Sequence, residues 1–318
     1  MASKQKRFLL LSAVILAFSF AISLFYGSAG FLDLSQDTMK TILIHLRLPR
    51  SLGALLAGSA LACSGALVQT VLDNPLASGN LIGINSAASF FTILSGILFP
   101  SAFGLGGIAG FAGGMLCTAL ILFLIWKKNA GKLTVLLAGM AISQVFSAGI
   151  DVLTVIFPDA LSGYAAFKIG SLASLTLQKT LAGALLIIPA LAGVFLCTKS
   201  LEMFSLGTMQ SQALGFPVRK WTVVFLGLAS LLCAGTVSFC GMLGFVGLII
   251  PAWLRRFHFP IRLYILECIV LGAALVCLAD FAGRTLVIPW ELPAGLILSL
   301  AGGPYFLYLL IGRRNLDA

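Results

Sequence analysis

The sequence predicts an all-α integral membrane protein, and its composition and the spacing of its apolar residues both indicate this fold class. Of its 318 residues, 60% are apolar and only 9% are charged, with a mean hydropathy of +1.09. Soluble domains contain about 45–50% apolar and about 25% charged residues. The apolar residues also form runs of about 20, the length that spans a bilayer as a helix. We expect one polytopic transmembrane domain covering residues 1–318.

The net charge of +10 does not indicate a nucleic-acid-binding protein, because the basic residues stand at the ends of apolar runs. That position is typical of residues that orient membrane helices. The seven cysteines lie inside apolar runs without metal or disulfide spacing, so we expect them in the core. His45 and His258 stand alone at run ends. We predict no catalytic residue, no metal site and no cofactor.

Ten apolar runs predict about ten transmembrane helices. Basic residues precede the first run, which is too long for a signal peptide and lacks a cleavage site, so we expect a retained helix. The eighth run is short. The runs cover about 8–26, 47–71, 80–99, 103–126, 132–157, 179–198, 220–239, 243–256, 262–283 and 294–312.

The basic residues predict that both termini are cytoplasmic, because most of them then fall on the inner side. The polar segment Pro158–Gln178 would lie outside as a short helix over the pore mouth. The triplets Cys63-Ser64-Gly65 and Cys233-Ala234-Gly235 echo each other in runs of opposite sense, as an inverted repeat would. The basic residues expected outside are Lys40, Arg47, Arg50, Lys168, Lys179 and Arg284.

The cytoplasmic loop Ser200–Lys220 is longer than a connection between two helices requires. It has its own apolar pattern, and Gly207 and Gly215 punctuate it. Glycine followed by Pro217 is a helix stop signal. We expect a short helix at the membrane surface, either docking a cytoplasmic partner or resting on lipid.

The fifth run carries one polar stripe at helical spacing, formed by Ser143, Ser147, Asp151 and Thr154. Such a stripe needs water or a polar neighbour. It indicates either a water-filled pathway or hydrogen bonds between helices.

Charged residues within the ninth run invite a functional hypothesis. Asp280 and Arg284 have the favourable i, i+4 order and predict an ion pair. Glu267 lies near the inner end of the same run, where we expect its side chain to snorkel towards the interface.

Motifs spread over nearly the whole chain, from about residue 45 to 311, resemble FecCD-type permeases of bacterial ABC importers. Three positions depart from the family pattern: Ala252 stands where histidine is usual, Thr208 where an acid is usual, and Ser211 where alanine is usual. The motifs are Arg47-Leu48-Pro49-Arg50, Asn74-Pro75-Leu76-Ala77, Leu137-Ala138-Gly139, Gly170-Ser171-Leu172, Gly244-Phe245-Val246-Gly247-Leu248-Ile249-Ile250-Pro251 and Pro289-x-Glu291-Leu292-Pro293.

This resemblance implies a permease subunit that imports a ferric siderophore, haem or cobalamin, in the bacterial cytoplasmic membrane. Its implied partners are two ATP-binding subunits, a second permease subunit, identical or paralogous, and an extracytoplasmic solute-binding protein. No Gly-x-x-x-x-Gly-Lys-Ser/Thr motif occurs, so ATP hydrolysis would belong to another chain. The alternative is an ion-coupled secondary transporter, for which Asp151 is the candidate coupling carboxylate.

The resemblance also implies site residues. The ATPase-coupling residues would be Leu206, Gly207, Leu214 and Gly215. The fifth helix, with Ser143, Ser147 and Asp151, would line the translocation pathway. The arginines that dock the binding protein would be Arg47, Arg50 and Arg284; alternatively these three anchor helix ends in lipid headgroups.

Overall fold

The computed structural model describes residues 2–27, 30–31, 37–80, 82–100, 105–128, 131–158 and 165–314, and most of them are helical. A two-residue hairpin, β1 (Tyr26–Gly27) and β2 (Gly30–Phe31), follows the first helix. The helices are α1 (Ala2–Phe25), α2 (Asp37–Ile42), α3 (Leu48–Leu72), α4 (Ile84–Leu98), α5 (Leu105–Lys128), α6 (Lys132–Ile156), α7 (Ala165–Ile169), α8 (Leu177–Leu196), α9 (Thr198–Ser205), α10 (Thr208–Ala213), α11 (Val218–Cys240), α12 (Val246–Leu254), α13 (Ile261–Thr285) and α14 (Ala294–Arg314).

Each of the ten predicted apolar runs contains a helix. Within the described residues, seven helical stretches are long and apolar enough to cross a membrane. The helices Ile84–Leu98 and Ala294–Tyr308 are apolar but shorter. The eighth run forms only the nine residues of α12, which rise about 13 Å against a hydrocarbon core of about 30 Å. The count of ten spanning helices therefore stays a prediction, whereas the all-α membrane fold is confirmed.

Helix α3 lies at the centre of the molecule and packs against α13, α11, α12 and α8. Glycines bring the backbones together at two of these contacts. A Cβ built on Gly58 would lie 2.2 Å from the carbonyl oxygen of Gly272, and one on Gly65 would lie 1.8 Å from that of Gly247. The triplets that echo each other also meet, because Ser64 Oγ lies 2.9 Å from Cys233 Sγ.

Pro49 is the second residue of α3, but helical structure begins well before it. The helix is continuous from Met39 to Leu72, and a π-helical turn, Leu43–Arg47, precedes the proline. Proline has no N–H to donate and crowds the preceding turn, so a locally wider turn lets the helix pass through it.

The prediction that all seven cysteines are core residues holds for six. Cys197 is half-exposed, at the junction of α8 and α9. All seven are free thiols.

Candidate functional site

The loop Ser200–Lys220 contains two short helices where the sequence predicted one. Helix α9 continues almost directly from α8, and α10 follows after Leu206 and Gly207. Gly207 has φ +90° and Gly215 has φ +77°, values that residues with a Cβ rarely adopt. The predicted helix bracketed by these glycines is α10.

The apolar residues of this loop divide into an inner and an outer set. Leu201 and Phe204 on α9 are buried in the core. Leu206 is exposed, and Met209 and Leu214 are 86% and 68% exposed. Met209 lies on α10 and Leu214 caps it, so apolar side chains are exposed here for either a partner or lipid to cover.

Helix α10 is held in place by contacts with neighbouring parts of the chain. The Ser211 hydroxyl is within hydrogen-bonding distance of the carbonyl oxygens of Met203 and Gly207. Beneath it, Phe204 contacts Phe216 and Phe225 edge-on, with ring centroids 5.9 and 5.6 Å apart. Force applied to α10 would therefore pass into the membrane helices.

Two clefts flank this element on the predicted cytoplasmic side. One of about 400 Å³ lies between α9 and the turn after α12, and its lining includes Leu206, Gly207, Arg255 and His258. The other, of about 230 Å³, includes Thr208 and Gln212. The exposed residues of α10 thus stand between two recesses.

The three outer arginines are buried, and two of them share one carboxylate. Arg50 Nε donates to both oxygens of Asp280, at 2.8 and 3.0 Å, and Arg50 Nη1 donates to Glu291 Oε2 at 2.7 Å. Arg284 Nε lies 3.2 Å from Asp280 Oδ2, so the predicted i, i+4 ion pair is present. Asp280 is completely buried.

This network connects four parts of the chain. Arg284 Nη2 donates to the carbonyl and hydroxyl oxygens of Ser23 on α1, at 3.0 and 2.8 Å. Arg47 Nη1 makes a longer bond, 3.4 Å, to the Leu24 carbonyl. The sequence missed the bonds of Arg50 because its partners are 230 and 241 residues away. Docking of an external protein on these arginines stays a prediction.

The polar stripe of α6 has more than one kind of partner. Ser143 Oγ lies 2.8 Å from Ser86 Oγ on α4, and Thr154 donates to the carbonyl oxygen of Ile150. The Ser143–Ser86 bond is of the interhelical kind that the alternative interpretation expects, whereas the Thr154 bond stays within α6. Ser147 is half-buried, and Asp151 is exposed in an ion pair with Lys168 on α7.

Helix α6 is itself largely uncovered by the rest of the chain. Only 17% of its apolar stretch is buried by the rest of the chain, against 83% of the stretch that contains α3. Exposing a carboxylate or an amide to the lipid of a bilayer costs free energy, yet Gln144 and Asp151 are both exposed on α6. The face that carries them fits water or a second polypeptide better than lipid.

The expectation for Glu267 is wrong. Its side chain does not snorkel but is fully buried, next to the Ser12 side chain of α1. Helix α1 packs along α13 and covers it. The described residues contain no group of three or more His, Cys, Asp or Glu side chains that could hold a metal ion.

Comparison with known proteins gives consistent matches along the chain. The profile of the FecCD transport family matches residues 8–312. The hemin transport system permease protein HmuU of Yersinia pestis is 34% identical over 97% of this chain and 95% of its own length. The Fe(3+)-citrate import system permease protein YfmE of Bacillus subtilis is 32% identical over 96% of each chain.

A solved structure shares the fold. It is described as an inward-facing conformation of an ABC transporter of metal-chelate type. The two superpose with a TM-score of 0.88 and 26% sequence identity, covering 96% of this chain and 99% of the other. The predicted multi-pass membrane localisation is confirmed by these matches together with the apolar helices.

Proposed function

Because the chain belongs to the FecCD transport family, we propose that it is the membrane-spanning subunit of an ATP-driven importer of ferric chelates. The substrate class is a ferric siderophore, haem or a related chelate such as cobalamin. The relatives named above carry hemin and ferric citrate, which supports iron chelates as the class. A solute-binding protein delivers the chelate, and no bond of the substrate is made or broken by this subunit.

The working assembly contains two such permease subunits, identical or paralogous, and two ATP-binding subunits. Helix α10 is the point at which each ATP-binding subunit docks. The observation that carries this proposal is the exposure of Met209 and Leu214 on a helix that Gly207 and Gly215 bracket. Closure of the ATP-binding pair moves α10, and α9 passes the movement to α8 and α11.

The chelate passes along the polar stripe of α6, where Ser147 and Asp151 supply water-facing groups. The exposure of α6 supports this proposal, since a pathway between two subunits must be lined by a face that one subunit leaves open. Of the three outer arginines, Arg47 is the one that registers the binding protein on the external side, because Arg50 and Arg284 are held by Asp280. An acidic partner surface would complement its charge, and arginine suits carboxylates because its planar fork donates two parallel bonds.

Arg47 offers the cleanest test of docking, because its bond to Leu24 is long and it has no part in the Asp280 ion pairs. Arg47→Glu should weaken binding of the solute-binding protein and change the salt dependence of association. Surface plasmon resonance at several salt concentrations, with the permease in nanodiscs, measures both. Unchanged affinity and salt dependence would mean that Arg47 is a lipid anchor.

The second candidate function is an ion-coupled secondary transporter. Such a protein needs a carboxylate that is protonated and deprotonated within the membrane. Asp151 is exposed in an ion pair close to the end of α6, so it fits this role poorly. Glu267, fully buried next to Ser12 of α1, is the acid that such a mechanism would use.

Reconstitution distinguishes the two functions. The permease is placed in vesicles with its ATP-binding subunits, and uptake of ferric citrate and hemin is measured with the binding protein present. We expect uptake that requires internal ATP, survives a proton uncoupler and persists in Glu267→Gln. Uptake that continues without ATP, and that the uncoupler or Glu267→Gln abolishes, would overturn the proposal.

A further inference from the structure

The ion pair between Asp151 and Lys168 stands at the predicted outer end of α6. Lys168 Nζ lies 2.9 Å from Asp151 Oδ1, and the two side chains are 47% and 68% exposed, the lysine being the less exposed. Asp151 lies one turn beyond Ser147 on the polar stripe, so the lysine paired with it adds one cationic group beside the outer part of that stripe.

The backbone that carries Lys168 is held in place. The Phe167 carbonyl accepts a bond from the Met242 N–H at 3.2 Å, and the Gly170 carbonyl accepts one from the Gly295 N–H at 3.0 Å. Just beyond, the Ser171 N–H donates to the Cys240 carbonyl at 3.0 Å. These bonds hold α7 against the ends of α11 and α14. The backbone position from which the Lys168 side chain extends is therefore fixed.

Lys168 differs from the arginines expected on the same side. The guanidinium groups of Arg50 and Arg284 are buried and bound to Asp280. Lys168 is exposed, and exposed pairs contribute little to stability, so its carboxylate partner is easily exchanged. An ammonium group that can change partners is suited to binding an incoming anion.

We propose that Lys168 selects the chelate at the outer mouth of the pathway, binding a free carboxylate of an anionic ferric chelate in place of Asp151. This inference rests on the proposed function, since it assigns a substrate class to the same pathway. Asp151 acts as the internal competitor. A chelate with several free carboxylates displaces it, whereas a neutral chelate gains nothing from the lysine.

The first test measures the local charge without needing a substrate. Ser147→Cys is made in a Cys197→Ser background, since the other six cysteines are buried. The introduced thiol is then reacted with two methanethiosulfonate reagents of similar size, the anionic sulfonatoethyl and the cationic trimethylammoniumethyl forms. The ratio of the anionic to the cationic rate reports the potential at the stripe.

Lys168→Gln should lower this ratio about tenfold, because removing one nearby charge slows the anion and speeds the cation by about threefold each. Asp151→Asn should raise it by a similar factor, and the double variant should return it close to the starting value. Lys179→Gln, an exposed lysine on α8, is the matched control and should leave it unchanged.

The second test uses ferric citrate and hemin as anionic probes and an uncharged ferric trihydroxamate as the neutral one. The anionic probes should protect the introduced thiol from both reagents. Compared with the protein that keeps both Asp151 and Lys168, this protection should be stronger in Asp151→Asn and about tenfold weaker in Lys168→Gln. The neutral probe should protect all variants alike.

Two failures have different meanings. An introduced thiol that reacts with neither reagent, with and without ATP-binding subunits and ATP, would overturn the water-filled pathway and this inference with it. The other failure is an introduced thiol that reacts with both reagents, while Lys168→Gln changes neither the ratio of the two rates nor the protection by the anionic probes. This result would overturn selection by Lys168 but would leave the water-filled pathway in place.

Discussion

Two ion-pair sites on the predicted outer side contain similar chemical groups but differ in burial. In the buried network, Asp280 binds Arg50 and Arg284 and is completely enclosed. In the exposed pair, Asp151 binds Lys168 in contact with solvent. Removing one partner of a buried pair costs about 3–5 kcal/mol, because a desolvated charge remains. An exposed pair contributes about 0–1 kcal/mol.

This difference in burial indicates that charged groups serve two purposes in this molecule. The buried network joins α1, α3, α13 and the segment before α14, so its contribution is to hold helices in register. The exposed pair joins α6 to α7 by contacts that can be exchanged. Groups that fix the architecture are enclosed, and groups proposed to meet the substrate are left accessible.

The largest effect should follow Asp280→Asn. The change removes the shared negative charge and leaves Arg50 and Arg284 buried without it. We expect a loss of about 3–5 kcal/mol of stability, seen as a clearly lower thermal unfolding midpoint of the purified protein in detergent. A midpoint equal to that of Asp151→Asn would remove the distinction between the two sites.

Glu291→Gln should have an intermediate effect and so sharpens the comparison. Glu291 accepts one bond from Arg50, and its side chain is partly exposed. Arg50 keeps Asp280 in this variant, so we expect a loss of about 1–3 kcal/mol, measured as before. A loss as large as that of Asp280→Asn would mean that Glu291 is as essential a counter-ion as Asp280.

Asp151→Asn should change stability by no more than about 1 kcal/mol. The small loss should shrink further as salt rises, because screening weakens exposed pairs. Unfolding midpoints at low and high salt measure it, with Lys179→Gln as a control for the loss of one exposed charge. A salt-independent loss of several kcal/mol would place this pair in the same class as the buried network.

Leu214→Asp should have the smallest effect on stability, about 0.5 kcal/mol or less, because the side chain is exposed and contacts little. Its expected consequence is functional: co-purification of the ATP-binding subunits should be lost. Leu196→Asp, a likewise exposed apolar residue at the predicted cytoplasmic end of α8, is the control and should not affect their binding. Retained ATPase binding in Leu214→Asp would mean that α10 merely rests on the membrane.

The sequence by itself determined the features that depend on neighbouring residues. Apolar runs of sufficient length must become helices in a bilayer, because only helices and closed barrels satisfy every backbone hydrogen bond there. Gly215 stops α10 because glycine adopts a positive φ without steric penalty. The Asp280–Arg284 pair was also predictable, since residues four apart share a face of any helix.

Only the tertiary structure decided which helices touch, and therefore which charges meet. Arg50 finds Asp280 because glycines at 58 and 272 let α3 and α13 approach at backbone distance. The burial of Glu267 depends on α1 packing along α13, although α1 lies at the opposite end of the chain. Helical periodicity fixes the direction of a side chain on its own helix. The partner it meets there is set by the packing of segments that are distant in sequence, and no local pattern records that packing.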